Sequence, residues 1–383
     1  MNKHVKLLKI ICVCLLLNLL SGCWDIKEIQ DMNYISAIGI DYEDDHFVLY
    51  TQMLDFTSIA KSEGGQSSPT SDIWTGKTEG KTLDIAMNDL YNSSQERSSW
   101  GHISSIILSE NVLKSNLLPQ LDTITRYQEI RVTPWVYGTD ESIEDLLNVP
   151  AFYNLSPLNT LLHEPTQVHE QKSYISPIRY FDFVAAITEP GYQVLLPRLT
   201  IDLTTWRKNN KEDPKLNLNG VFAMSDHKLN GLLTNDKLTG LRWLDTGTHR
   251  SPLAIKKDND IGADLILQKP KIKKKLYVSN GVPKYKIHVK LKGSVVELRR
   301  DFSINELEKE AAKAVKEEIL STYKHGYDIN ADLYRLSHLL FKQQTGLWKK
   351  LSQMKPFILD EDSLELVTVD VTLDSTGMKI LSQ

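Results

Sequence analysis

"KYKIHVKLKG" (residues 284–293) alternates without a break. Tyr285, Ile287, Val289 and Leu291 fall on one side, and Lys284, Lys286, His288, Lys290 and Lys292 on the other. That period of two describes a strand with one face on a core and the other in water. Such a strand needs a second layer, and the residues after it supply one. Ser303 with Glu306 forms a capping box. Leu307, Ala311, Ala314, Val315 and Ile319 then make the apolar stripe of a helix running to about Tyr323. A second helix is expected over 331–342. "LVTVDVTL" (366–373) closes this third of the chain as a strand with Val367, Val369, Val371 and Leu373 on one face. Strands on one long helix make an α+β domain, read here as an antiparallel sheet.

Working back from there, the pattern is more mixed. "YISAIGIDYEDDHFVLYTQML" (34–54) reads as two strands around an acidic turn at Glu43-Asp44-Asp45. "KSEGGQSSPTS" (61–71) is a polar loop with nothing to bury. Thr82 is placed to cap a helix over 83–91, with Leu83, Ala86, Met87 and Leu90 on its inner face. "ISSIILSE" (103–110) and "VTPWVYGT" (132–139) are strand candidates, with a helix to about Tyr127 between them and a short helix over 142–147 following. Residues 151–200 carry Pro157, Pro165, Pro177, Pro190 and Pro197 and read as irregular. "WRKNNKEDPK" (206–215) reads as a polar connection before a strand over 216–224, a turn at Ser225-Asp226-His227-Lys228 and a short helix over 237–244. The fold class is therefore α+β and multi-domain, about three mixed α/β domains. The expected divisions are a leader at 1–22, an N-terminal mixed α/β domain at 23–150, a middle domain at 151–260 and a C-terminal α+β domain at 261–383.

The leader has its own logic. Lys3, Lys6 and Lys9 precede an apolar run from Ile10 to Leu20, and Ser21 and Gly22 then stand before Cys23. This is the order of a secretory signal peptide, and the run is shorter than the roughly 20 residues that span a bilayer core. Leu20-Ser21-Gly22-Cys23 has the form of a bacterial lipobox, in which Cys23 takes an S-diacylglycerol and an N-acyl group and becomes the first residue after cleavage. Each buried CH2 of such chains contributes about 0.8 kcal/mol, so two or three chains anchor stably where one is marginal. Cys12 and Cys14 lie in the segment removed, which leaves Cys23 with no partner for a disulfide or a cysteine metal site. The formal net charge is −4, and loss of the leader lysines makes the remainder more acidic, which argues against general nucleic-acid binding.

The sequence carries few motifs with a chemistry of their own. "TGKTEGKT" (75–82) has only three residues between Gly76 and Gly80 where a phosphate loop needs four, so it reads as a turn before a capped helix. "HEPTQVHE" (163–170) sets His163 and His169 six apart around Pro165, without zincin spacing, and reads as a solvated loop. No Gly-x-Ser-x-Gly elbow occurs, no carboxylate pair is singled out by spacing, and the seven tryptophans are scattered. No enzyme, metal or cofactor is expected. Lys269, Lys271, Lys273, Lys274 and Lys275 join Lys284, Lys286, Lys290 and Lys292 in a positive cluster within an acidic chain. Lysine on a sheet face also protects against edge pairing. The functional reading assigns Lys284, Lys286, Lys290 and Lys292 to contact with anionic headgroups or an acidic partner.

"LSGCWDIKEI" followed by "ISAIGID" resembles the start of the Ger(x)C proteins, the C subunits of spore germinant receptors. The resemblance continues through "GKTLDIAMNDL", "GHISSIILSENVLKSNL", "ITRYQEIRVTPWVYGT" and "NGVFAMSDHKLNGLLTNDKLTGLRWL" to "YKHGYDINADLYRL" and "LVTVDVTLDSTG". It implies a soluble part of three mixed α/β domains and no enzymatic activity. It also implies a lipoprotein on the outer face of the spore inner membrane, needed for nutrient-triggered germination and working with integral-membrane A-type and B-type subunits. By residue it carries over only the acylated cysteine, onto Cys23. Two other readings stand beside it: a solute-capturing lipoprotein of a transporter, which needs a cleft of convergent polar groups, and a cell-envelope hydrolase, which needs a pocket with coupled carboxylates or histidines.

Overall fold

The computed structural model describes residues 32–54, 72–115, 122–257 and 260–375. The leader, Cys23 and the polar loop expected at 61–71 lie outside the described residues.

The first half builds one large sheet. β1 (Met32–Glu43) and β2 (His46–Leu54) pair antiparallel, with Glu43 opposite His46. The expected acidic turn is there: Asp44 and Asp45 are both left-handed (φ 48° and 64°), the two-residue turn that matches strand twist. β3 (Ile73–Gly80) adds to β2 at one edge. β4 (Arg97–Ser99) and β5 (Ser105–Ser109) run parallel to β1, and β6 (Trp135–Thr139) parallel to β5. A short β7 (Ile178–Arg179) pairs with β6. β8 (Val194–Asp202) follows parallel to β6, after the helix Tyr180–Thr188. β9 (Arg207–Lys208) and β10 (Lys211–Glu212) form a hairpin outside the sheet. β11 (Lys215–Ser225) and β12 (Lys228–Leu233) complete the order β12-β11-β8-β6-β5-β1-β2-β3. This sheet continues across residue 150, since β7 and β8 pair with β6, which precedes it, and β11 pairs in turn with β8.

Residues 151–200 are not irregular as expected. They hold the helix Thr166–Gln171, the helix Tyr180–Thr188 and β8, a central strand. Pro197 hides that strand in the sequence. It sits opposite Val221, where the β8–β11 register shifts, a place where a missing N–H costs little. Thr82 caps the helix Leu83–Asp89 as expected, its hydroxyl accepting from the Ile85 N–H at 3.2 Å.

The second half is a smaller sheet of β13 (Ser251–Lys257), β14 (Asp260–Ser279), β15 (Val282–Leu298) and β16 (Leu364–Ser375), in that order. β14 and β15 form a long ribbon closed by Asn280 and Gly281, both left-handed. The expected alternation holds: Tyr285, Ile287, Val289 and Leu291 are all 2% exposed or less. The sheet is mixed rather than wholly antiparallel, because β16 runs parallel to β15. A parallel neighbour needs a crossover, and the helices between them supply it. The first is the expected long helix, Ile304–Asp328, capped by Ser303 and burying Leu307, Ala311, Val315 and Ile319. Large apolar side chains buried to this degree are each worth about 1.5–3 kcal/mol. The helix expected over 331–342 begins at Leu336, after Arg335 in the left-handed region. The helix expected over 237–244 is two tight turns, Asn235–Lys237 and Leu241–Leu244.

The two faces of the large sheet carry separate apolar cores, one around Ile38, Ile106 and Phe222, the other around Ile107, Tyr137 and Leu199. A third core lies between the small sheet and the long helix. It also takes in Val221, Ala223 and Leu233 from the large sheet, so the two halves share buried surface.

Candidate functional site

The lysines that stand out in the sequence lie on the outer face of the small sheet, but their charge is not free. Lys284 Nζ meets Asp362 at 2.5 Å, Lys290 meets Asp370 at 3.4 Å and Lys292 meets Asp374 at 3.5 Å. His288 also faces Asp370, and Lys286 lies over the Tyr277 ring at 4.8 Å. Asp370 and Asp374 come from β16, whose parallel register puts Asp370 directly opposite Lys290. Sequence reading missed this pairing because β16 is some 80 residues away in the chain. On the other flank, β14 sets Lys271 opposite Lys290, Lys273 opposite His288 and Lys275 opposite Lys286. All three are exposed, and none has a carboxylate partner among the described residues. Two of these pairs, Lys271 with Lys290 and Lys275 with Lys286, set like charges against each other across strands, an arrangement that costs stability unless something anionic covers it. Among the described residues, the lysines of β14 that are exposed without a carboxylate partner are therefore Lys269, Lys271, Lys273 and Lys275. Lys274, between them, points the other way and donates to the Tyr334 carbonyl at 2.7 Å.

A cleft of about 920 Å³ lies between the two halves. Lys274, Arg335, His338, Asp182, Glu189 and Asp245 line it, with His338 Nδ1 3.9 Å from Glu189. Several of these groups are already engaged. Arg335 stacks on Tyr192 at 4.5 Å and donates to the Gln193 carbonyl, while Asp245 accepts from Ser176 and from the Gly247 N–H. Asp332 beneath it is buried and accepts from the Ser337 N–H at 2.6 Å. Burial pushes the Lys274 ammonium down and the Asp332 carboxyl up. The cleft has room for a small solute, but most of its charged groups serve the seam between the halves.

His163 is a correction. It is buried, not solvated: Nδ1 lies 2.5 Å from Ser104 Oγ and 3.2 Å from Ser105 Oγ, and Nε2 lies 3.0 Å from Gln52 Oε1. This has the outline of a nucleophile and base. However, the group behind the imidazole is an amide, which gives an imidazolium no counter-charge. Burial lowers the His163 pKa to about 3, so the ring is neutral. Gln52 passes the network on to the Leu147 carbonyl and to Ser36, tying three segments of the large sheet together. His169 sits elsewhere, beside Ser176 and His249. Among the described residues, no group of three His, Cys, Asp or Glu could hold a metal.

"TGKTEGKT" is structural. Gly76 and Gly80 lie in β3, and a Cβ on Gly80 would stand 2.5 Å from the Ala86 nitrogen. Among the described residues the tryptophans do not converge: Trp100 and Trp243 are fully buried, while Trp74 and Trp206 are exposed. Among the described residues, no helix is long and apolar enough to cross a membrane.

Comparison with known proteins agrees with this architecture. The spore germination protein N-terminal domain family matches residues 25–201, and the spore germination B3/GerAC-like C-terminal family matches residues 219–377. Spore germination protein B3 of Bacillus subtilis (strain 168) is 25% identical over 282 residues, 73% of this chain and 71% of that protein. Spore germination protein KC of the same organism is 21% identical over 388 aligned positions, 94% of this chain and 93% of that protein. The crystal structure of the GerBC protein superposes with a TM-score of 0.51 at 18% identity, covering 91% of this chain and all of that one, a likeness of fold.

Proposed function

The chain belongs to the spore germination B3/GerAC-like family, and on that premise we propose that it is a non-enzymatic, lipid-anchored C subunit of a spore germinant receptor. The observation that carries this reading is the family match, which extends over both sheets. The Leu20-Ser21-Gly22-Cys23 sequence supports the anchor. In this reading Cys23 holds the protein on the outer face of the spore inner membrane, beside integral-membrane A-type and B-type subunits. The chain then acts by assembly, presenting surfaces rather than turning over a substrate. The outer face of the small sheet is the surface assigned to an anionic contact. Lys271, Lys273 and Lys275 supply the free charge there, with Lys284, Lys286, Lys290 and Lys292 behind them.

Cys23→Ala tests the reading. Cys23 is the residue that would form the thioether, so the variant should lose labelling by a palmitate analogue, remain unprocessed or, if cleaved elsewhere, leave the membrane fraction, and fail to restore nutrient-triggered germination to spores lacking the native chain. Undiminished labelling would rule out the anchor. Normal germination without labelling would show that the anchor is dispensable.

A further inference from the structure

The β9–β10 hairpin belongs to neither sheet. It turns at Asn209 and Asn210, both left-handed (φ 51° and 65°), and holds Arg207, Lys208 and Lys211 exposed. Trp206 at its base is 49% exposed instead of joining a core, and stands edge-on to Phe152 at 4.8 Å. Next to Phe152 is Tyr153, which is 89% exposed and left-handed (φ 57°), as is Asn154 (φ 56°). Two successive non-glycine residues in that region cost conformational energy, and here the result is an aromatic ring held out in water. Leu155 and Leu203 are also exposed, and Lys208 Nζ donates to Asn154 Oδ1 at 2.9 Å, which fastens the hairpin to this segment. Aromatic rings, aliphatic side chains and cations together on a projecting turn are the chemistry of a bilayer interface. The rings sit at headgroup depth and the long cations reach to phosphates.

The patch also lies near the start of β1, the first described element after Cys23. Ile73, Tyr153, Leu155 and Lys208 line one small cavity, so this patch touches the first residue of β3. Ile73 is opposite Leu54, and Leu54 opposite Tyr34, so two strand spacings, about 10 Å, separate that point from the start of β1. Met32 lies nine positions after Cys23, a reach of at most about 30 Å. A bilayer that holds the acyl chains is therefore within reach of the hairpin.

We propose that Trp206, Tyr153, Leu155 and Leu203, with Arg207, Lys208 and Lys211, form a lipid-bilayer contact that fixes how the protein stands on the membrane. This rests on the acylated reading of Cys23. Two or three acyl chains need no help to anchor, but attachment through a single residue does not set orientation. The patch does.

The test uses the processed, acylated chain, in which Cys23 is blocked and an introduced cysteine is the only free thiol. Tyr153→Cys, Trp206→Cys and, as a distant control, Glu361→Cys are each labelled with an environment-sensitive fluorophore. The proteins are reconstituted in phosphatidylglycerol/phosphatidylethanolamine vesicles. Labels at 153 and 206 should shift to shorter wavelength and be quenched several-fold by brominated lipid, while the label at 361 should not respond. Adding Lys208→Glu and Lys211→Glu should reduce the response at 206. Protein that floats with the vesicles while labels at 153 and 206 stay aqueous overturns the proposal. So does a shift that occurs only when the membrane subunits are present, which would make the patch a protein contact. Failure to float at all indicts the acylation of Cys23 instead, so the two failures are distinguishable.

Discussion

At the scale of single residues, His163 shows how a group chosen for its chemistry turns out to serve structure. Its ring fills a buried position and exchanges hydrogen bonds with Ser104, Ser105 and Gln52 while staying neutral. The folded pKa is lowered to about 3 by burial, whereas the unfolded chain titrates near 6.5. Above pH 6.5 neither state binds the proton and stability is unaffected. As pH falls from 6.5 towards 3, only the unfolded state takes it up, so stability is lost at up to about 1.4 kcal/mol per unit. The native chain should therefore lose about 2 kcal/mol more than His163→Asn between pH 7 and pH 5, in urea melts of each. The variant should be less stable at pH 7, because Ser104 and Gln52 lose partners. Parallel stability curves for the two would show that His163 is not the titrating group. Gln52 could not have been identified from sequence, since nothing local marks it. The motif around His163 was visible, but its burial was not.

At the scale of elements, periodicity was the reliable signal and pairing was not. The alternation at 284–291 and at 367–373 appears in the structure residue for residue, and Ser303 and Thr82 cap the helices expected of them. Burial on one face imposes these patterns locally, so they can be read locally. β8 was missed because Pro197 and a register shift break its local pattern. The pairing of the lysines was missed because it depends on which strand lies next to β15, a property of topology. That pairing changes what charge reversal should do. Lys284→Glu, Lys290→Glu and Lys292→Glu together set new carboxylates against Asp362, Asp370 and Asp374 and should lower the melting temperature by several degrees. Lys271→Glu, Lys273→Glu and Lys275→Glu together replace repulsion across β14 and β15 with attraction, and should leave the melting temperature unchanged or raise it. Exposed pairs are worth about 0–1 kcal/mol each, so the contrast comes from the sum of three. If the face meets an anionic surface, the β14 triple variant should nonetheless lose salt-sensitive retention on anionic vesicles. Equal melting shifts for the two sets would mean that the β16 carboxylates do not neutralise β15.

At the scale of the molecule, the question is whether the two sheets move independently. The connection between β12 and β13 is not a free linker. Gly240 N–H donates to Thr322 Oγ1 at 2.9 Å, and Thr322 donates to the Lys237 carbonyl, which pins the turns to the long helix. Arg242 is 5% exposed, pairs with Glu318 at 3.0 Å and stacks on both Tyr174 and Trp243. Trp243 Nε1 donates to the same carboxylate at 2.6 Å. Tyr174 precedes the large sheet's β8 and Glu318 lies on the long helix, so one arginine joins both halves. Removing either partner of a buried pair commonly costs 3–5 kcal/mol, because the other is left uncompensated. Val221, Ala223 and Leu233 add apolar surface that either sheet would expose alone. The halves should therefore unfold together, in a single calorimetric transition. Gly240 is the point at which to separate them. A Cβ there would stand 2.4 Å from the Glu318 carbonyl oxygen and 2.6 Å from the Ile319 Cα, both backbone, so nothing nearby can yield cheaply. Gly240→Ala should cost about 1–3 kcal/mol through overpacking and, by lifting the connection off the helix, split the transition in two. Two transitions in the unaltered chain would show that the shared core does not couple the sheets. One transition in both chains, at a lower temperature in Gly240→Ala, would place the coupling in Val221, Ala223 and Leu233 rather than in the turns.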